Sequence, residues 1–115
     1  MSTVIRPERI AQLMKIEEQR FLDLHKASTA AFNQSSKVMH EGVPMSWMAK
    51  WPGAHPVFVK EAKGAHFTDL DGHDYIDFCL GDTGSMTGHS PAATVAAVKA
   101  QIDKGITAML PSENA

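Results

Sequence analysis

Apolar residues near the start of the chain recur at three- and four-residue steps: Ile10, Leu13, Met14, Phe21 and Leu24. That period places them on one face of an amphipathic helix running from Pro7 to about Leu24. Pro7 suits the first turn, where its missing N–H has no partner to lose, and Glu8 sits near the positive end of the helix dipole. Ala31, Phe32, Ser35 and Met39 repeat the pattern among several serines and predict a second helix from about Ser28 to Met39, with Gly42 after its end. The pattern then stops. VPMSWMAKWPGAHP has neither helical nor strand period and holds three prolines and two tryptophans, which predicts an irregular segment whose large side chains pack against a partner. Beyond it, VFVKEA, AHFTDL and YIDFCL are β-prone runs joined by Lys63-Gly64 and Asp71-Gly72, the pattern of an antiparallel meander.

LGDTGSMTGH supplies three glycines and no period, so it reads as a loop. Ser90-Pro91 predicts a helix start, with the serine hydroxyl capping free amides; Val95, Val98 and Ile102 mark an apolar face, and Gly105 ends the helix. The tail ITAMLPSENA has apolar residues but no evident core of its own. These elements place the chain in the α+β class: N-terminal helices, a three-stranded antiparallel meander, a loop and a helix. We divide it into an N-terminal helical segment (1–42), an irregular pocket or interface segment (43–56), and a sheet, glycine loop and helix (57–115).

Composition narrows the function classes. A chain of 115 residues is one ordinary domain, which buries about 65% of its unfolded surface. The formal charge is −2 with both signs interspersed, so no electrostatic footprint for nucleic acid or an anionic membrane exists. No apolar run approaches the roughly 20 residues of a bilayer span, and MSTVIRPERI lacks the order of a signal peptide, so a cytoplasmic protein is expected. Cys79 is the only cysteine, and its setting in YIDFCL predicts a small buried hydrophobe. Arginine occurs only at Arg6, Arg9 and Arg20, so a pocket built later in this chain lacks a bidentate carboxylate clamp.

TDLDGHDYIDF carries the chemistry of a calcium loop and equally of a tight turn. Glycine falls at the fourth position of the candidate loop and Leu80 at the twelfth, where an EF-hand needs glycine sixth and glutamate twelfth, so the stretch reads as a hairpin turn. The six histidines are scattered without the spacing of a zinc helix and read as surface or hydrogen-bonded side chains; no metal is expected. The glycine loop matches neither GxGxxG nor a P-loop, and no GxSxG elbow is present, so Ser85 reads as a turn residue. Trp47 and Trp51 fit core or interface positions better than an exposed recognition platform.

The ordered set HEGVP, PVFVKEAKGAHFTDLDGHDYIDF, TGHSPAATVAAVKAQIDKG and LPSE, over about residues 38–113, resembles the opening portion of class III pyridoxal-phosphate aminotransferases. Within these it is most similar to the branch containing glutamate-1-semialdehyde aminomutase and the β-amino-acid aminotransferases. The resemblance implies the small-domain part of a fold type I enzyme, packed against a large α/β domain and across a homodimer. It implies pyridoxal 5'-phosphate as cofactor and small amines or amino acids with keto acids as substrates. The family holds its cofactor through a lysine, an aspartate and a phosphate cradle located downstream of this stretch, so no catalytic or cofactor-binding residue is assigned here, and the chain alone is expected to be inactive.

By position in the family, Ser46, Trp47 and Met48 of the irregular segment and Asp82, Thr83 and Gly84 of the glycine loop are the expected substrate-pocket residues. The aminomutases carry an arginine in the first of these segments and a serine-tryptophan pair in the second, where this chain has SWMAK and GDTG. That departure predicts a different substrate, with any carboxylate held by residues elsewhere. Asp82 either faces a cationic group or stabilises a turn. The reading that competes with the enzyme is a small α+β module that binds a protein through its tryptophan-methionine segment.

Overall fold

The computed structural model describes residues 6–50, 52–107 and 109–111. Trp51 and the last two residues of the LPSE motif therefore lie outside the described residues. The elements are helix α1 (Pro7–Leu24), helix α2 (Lys26–Ser35), a 3₁₀ turn (Ser46–Lys50), strands β1 (Val59–Lys63), β2 (His66–Asp69) and β3 (Asp74–Ile76), and helix α3 (Ala92–Ile102). The strands form one sheet in the order β1-β2-β3, the meander expected from the two glycine turns. The chain divides into two compact units. The first holds residues up to Glu61 with Thr68–Tyr75, and the second holds Ala62–Phe67 with the residues from Ile76 onward.

In the first unit α1 ends as the periodicity predicts, and His25 turns the chain into α2 with φ −118° and ψ 49°. Helix α2 stops at Ser35, four residues short of the expected Met39. The hydroxyls of Ser35 and Ser36 both reach the Phe32 carbonyl, at 3.0 and 2.8 Å, competing with the helical ladder as short polar side chains do. Ser35 also donates to the Gly42 carbonyl at 2.6 Å, folding the following residues back onto α2. Gly42 has φ +72°, and a Cβ there would lie 2.5 Å from Ser36 Oγ and 2.7 Å from the Phe32 ring, so glycine is required by conformation and by space.

The interior of this unit is unusually polar. Val43 is the only buried hydrophobic residue among the described ones, alongside His25, Ser28, Ser35, His55 and Asp69. Aromatic and imidazole rings take the place of an aliphatic core: Phe21 stacks on His25 at 4.2 Å, and Phe32 stacks on His55 at 5.4 Å. Among the described residues no buried side-chain nitrogen or oxygen lacks a hydrogen-bond partner, as a polar interior demands.

In the second unit β3 ends at Ile76, earlier than YIDFCL suggests, because Asp77 Oδ1 accepts the amides of Cys79 and Leu80 at 2.9 Å each and bends the chain out of the ladder. Cys79 is consequently exposed, not the buried hydrophobe expected, and Phe78 beside it is 93% exposed. Gly64 and His89 exchange backbone hydrogen bonds of 2.9 and 2.8 Å, joining the β1 end to the residue before Ser90. Ser90 does not cap α3: its hydroxyl donates to the Ala62 carbonyl at 3.0 Å, and Pro91 stands at the cap position. At the other end Gly105 has φ +96° and its amide bonds to the Ile102 carbonyl, the termination expected. No helix among the described residues is long and apolar enough to cross a membrane.

Candidate functional site

The densest chemistry of the first unit surrounds Asp69, at the end of β2 and fully buried. Its Oδ1 accepts the amides of Asp71 and His73 at 2.9 and 2.8 Å, which is what the tight turn after β2 places there. Its Oδ2 accepts the His73 ring Nδ1 at 3.0 Å and the Tyr75 hydroxyl at 2.9 Å, with His25 Nε2 3.5 Å away. Burial alone would raise the Asp69 carboxyl, but the bonds from the His73 amide, the His73 ring and the Tyr75 hydroxyl outweigh it and hold it at about 2. Tyr75 is pushed up to about 12, first by burial and then by the carboxylate that accepts its hydrogen. His25 arrives from the α1–α2 corner; its Nδ1 donates to the Phe21 carbonyl at 2.8 Å and its Nε2 lies 2.9 Å from the Tyr75 oxygen. Sequence spacing missed this cluster because His25 is distant in the chain. The one local signal was an aspartate and a histidine four residues apart across an Asp-Gly turn.

The residues expected in a pocket fall into both units. In the first, Trp47 and Met48 line a groove of about 380 Å³ with Val43, Pro44, Phe58 and Val59, while Ser46 does not contribute to its walls. Proline on either side of the 3₁₀ turn explains why this groove stays open: neither a helix nor a strand can run through it. Trp47 is 63% exposed.

In the second unit Asp82 and Thr83 are exposed, and Asp82 takes a left-handed backbone with φ +63°. Gly84 lines a groove of about 430 Å³ with Ser85, Thr87, Gly88, Ser90 and the first turns of α3. The loop is held at its base by a relay that the sequence did not announce. Ser85 Oγ and His89 Nδ1 are 3.1 Å apart, and His89 Nε2 donates to Asp77 Oδ2 at 2.6 Å. With Nε2 donating, Nδ1 of a neutral ring accepts, so Ser85 gives its hydrogen to His89. The bond from His89, followed by those from the Leu80 and Cys79 amides, holds the Asp77 carboxyl below its usual range. Ser85 is thus more than a turn residue: it links the loop through His89 to Asp77, the residue after β3.

No site for pyridoxal phosphate is assembled by these residues. A lysine that bonds a carbonyl cofactor needs a desolvated pocket to lose its proton near neutral pH, and the eight lysines of the chain are all exposed.

No family model matches the chain. It is 36% identical over 87 residues to a glutamate-1-semialdehyde 2,1-aminomutase of Thermodesulfovibrio yellowstonii, covering 75% of this chain and 20% of that protein. The solved structure of a glutamate-1-semialdehyde aminomutase from Pseudomonas aeruginosa matches it with TM-score 0.83 and 43% identity, over 95% of this chain and 24% of that one. A β-phenylalanine aminotransferase from Variovorax paradoxus matches with TM-score 0.78 and 27% identity, over 90% of this chain and 24% of that one. The chain spans between 14% and 22% of the length of the curated relatives it matches. The resemblance read from the sequence therefore holds: helices and sheet correspond to an N-terminal piece of fold type I class III aminotransferases, on the branch named above.

Proposed function

We propose that these residues are the opening portion of a pyridoxal-phosphate-dependent class III aminotransferase. The enzyme moves an amino group between a small amine or amino acid and a keto acid. Support comes from the similarity in sequence and fold to proteins named aminomutases and aminotransferases, one of which has been solved with PMP. The cofactor and its attachment lysine belong, in this reading, to polypeptide beyond the residues described.

The observation that carries the reading is the exposure of apolar side chains. Along α1, Ile10, Leu13, Met14, Ile16 and Leu24 are 42–57% exposed, and in the second unit Phe78, Met86, Ile106 and Leu110 are 70–93% exposed. Burying a large aliphatic or aromatic side chain contributes about 1.5–3 kcal/mol, so these faces are surfaces for a larger body of protein. A large α/β domain and a second subunit of a cytoplasmic homodimer supply it.

Within this enzyme Ser46, Trp47, Met48, Asp82, Thr83 and Gly84 form part of the substrate wall. The aminomutase substrate is not the one expected, since the arginine of that subgroup is absent from SWMAK. A substrate carboxylate is then held by residues outside this chain, and Asp82 faces a cationic group. The test is to purify the native polypeptide containing these residues and determine its mass and visible spectrum. A product several times longer, with cofactor absorbance that borohydride abolishes, is expected; a colourless, folded protein of this length that ignores the cofactor would overturn the reading.

A further inference from the structure

The contacts around Asp69 outnumber the hydrogens that neutral side chains can supply. The Nδ1 hydrogen of His25 goes to the Phe21 carbonyl, that of His73 to Asp69 Oδ2, and the Tyr75 hydroxyl hydrogen to the same oxygen. With the Tyr75 hydrogen directed to Asp69, a neutral His25 ring turns its Nε2 lone pair toward the Tyr75 oxygen at 2.9 Å and the carboxylate at 3.5 Å. A cation placed there satisfies all of these lone pairs.

We propose that His25, Asp69 and His73 form a binding site for a borderline divalent cation, zinc or cobalt in character, with the Tyr75 hydroxyl at its edge. One ligand atom from each of the three lies within 4.8 Å of the others. The His73–Asp69 and His25–Asp69 separations of 3.0 and 3.5 Å bracket the roughly 3.4 Å that two ligands of one tetrahedral ion adopt at bonds of about 2.0–2.1 Å. Two imidazoles and one carboxylate select such a metal over calcium or magnesium, which take oxygen donors.

The outer contacts are those of a metal site as well. His25 donates its remote ring hydrogen to a backbone carbonyl, which fixes Nε2 as the free donor atom, and Asp69 Oδ1 is held by two amides, which leaves Oδ2 facing inward. His73 ligates through Nδ1 when its ring hydrogen moves to Nε2, so no proton need be lost. Its side chain is 38% exposed and gives the ion a way in. The bound ion would pin the α1–α2 corner to the turn after β2, a structural role independent of any transamination.

The experiment strips the purified native protein with a chelator and titrates it with cobalt(II), then with zinc. One cobalt per chain with the visible band of a four- or five-coordinate nitrogen-oxygen site is expected, displaced by zinc, with zinc raising the melting temperature. His73→Gln, at a partly exposed position, is expected to fold and to lose at least about 100-fold in zinc affinity, while the control His40→Gln, at a histidine side chain 92% exposed, retains it. If His73→Gln fails to fold, ring-nitrogen NMR of the unaltered protein decides: zinc must shift the His25 and His73 resonances. Equal affinity in the two variants, absent cobalt colour, or a doubly protonated His25 ring unmoved by zinc each overturns the proposal and leaves a proton in the cation's place.

Discussion

Ser28 donates both its amide and its hydroxyl hydrogen to the same oxygen of Asp71, at 2.9 and 2.8 Å, while the other carboxylate oxygen takes the Ala27 amide at 2.6 Å. A residue of the β2–β3 turn thus caps the first turn of α2 from 43 positions away. We expect Asp71→Asn to lower the stability of the first unit by about 1–3 kcal/mol, since it weakens three bonds at a helix N-terminus. Urea unfolding followed by far-UV circular dichroism checks this, and an unchanged midpoint would contradict it.

The same carboxylates set an acid limit. Asp69 is held at about 2, and Asp71 is also lowered, its bonds to Ala27 and Ser28 outweighing the opposing effect of burial. A carboxyl depressed in the folded state stabilises it above the unfolded value, near 3.9, and that contribution disappears as pH falls through the folded value. Stability of the first unit should therefore fall between about pH 4 and pH 2. Tyr75 works in the opposite sense: raised to about 12, it stabilises the fold below about pH 10 and loses that effect as pH rises through 12. Unfolding midpoints across both windows test the signs, and a flat profile at either end would rule out the corresponding group.

Gly42→Ala should be among the most damaging small substitutions. It puts a Cβ against Ser36 and Phe32 and forces an L-residue to φ +72°. The left-handed backbone costs about 1–2 kcal/mol and overpacking about 1–3 more. Calorimetry should register a loss of several kcal/mol, against about half that for Ser36→Ala, which gives up one hydroxyl bond.

Asp77→Asn removes the charged acceptor that fixes His89 and weakens the turn at Cys79 and Leu80. A lower unfolding midpoint of the second unit is expected. His89→Gln should release Ser85 as well, visible as faster amide exchange across residues 81–88; protection equal to the unaltered protein would show that the relay does not hold the loop.

On the proposed function, in which Trp47 forms part of the substrate wall without touching reacting atoms, Trp47→Ala should raise KM for bulky amino donors on the order of 10-fold with little change in kcat. A matched fall in kcat at constant KM would place Trp47 elsewhere in the reaction.

Much of the backbone was legible beforehand. Helix α1 runs over the span its apolar period marks, and both glycine turns fall between the strands they predict. The departures share one physical origin, which is local side-chain hydrogen bonding. Ser35 and Ser36 end α2, Asp77 ends β3, and Ser90 bonds to Ala62 instead of capping α3; in each case a short polar side chain takes a backbone group that periodicity assigns to regular structure. The Asp69 cluster was illegible for a different reason, since it depends on a contact between residues 25 and 69 that no local pattern encodes. The candidate pocket residues came from family position, which no local pattern of this sequence encodes.

One carboxylate, that of Asp77, both turns the chain away from the sheet and grips the imidazole of His89, where the chain rejoins β1 through Gly64. The segment between these two anchor points is therefore clamped at both ends. Because both anchors lie outside residues 78–88, substitutions of side chains in that stretch, Ser85 apart, leave the Asp77–His89 and Gly64–His89 bonds in place.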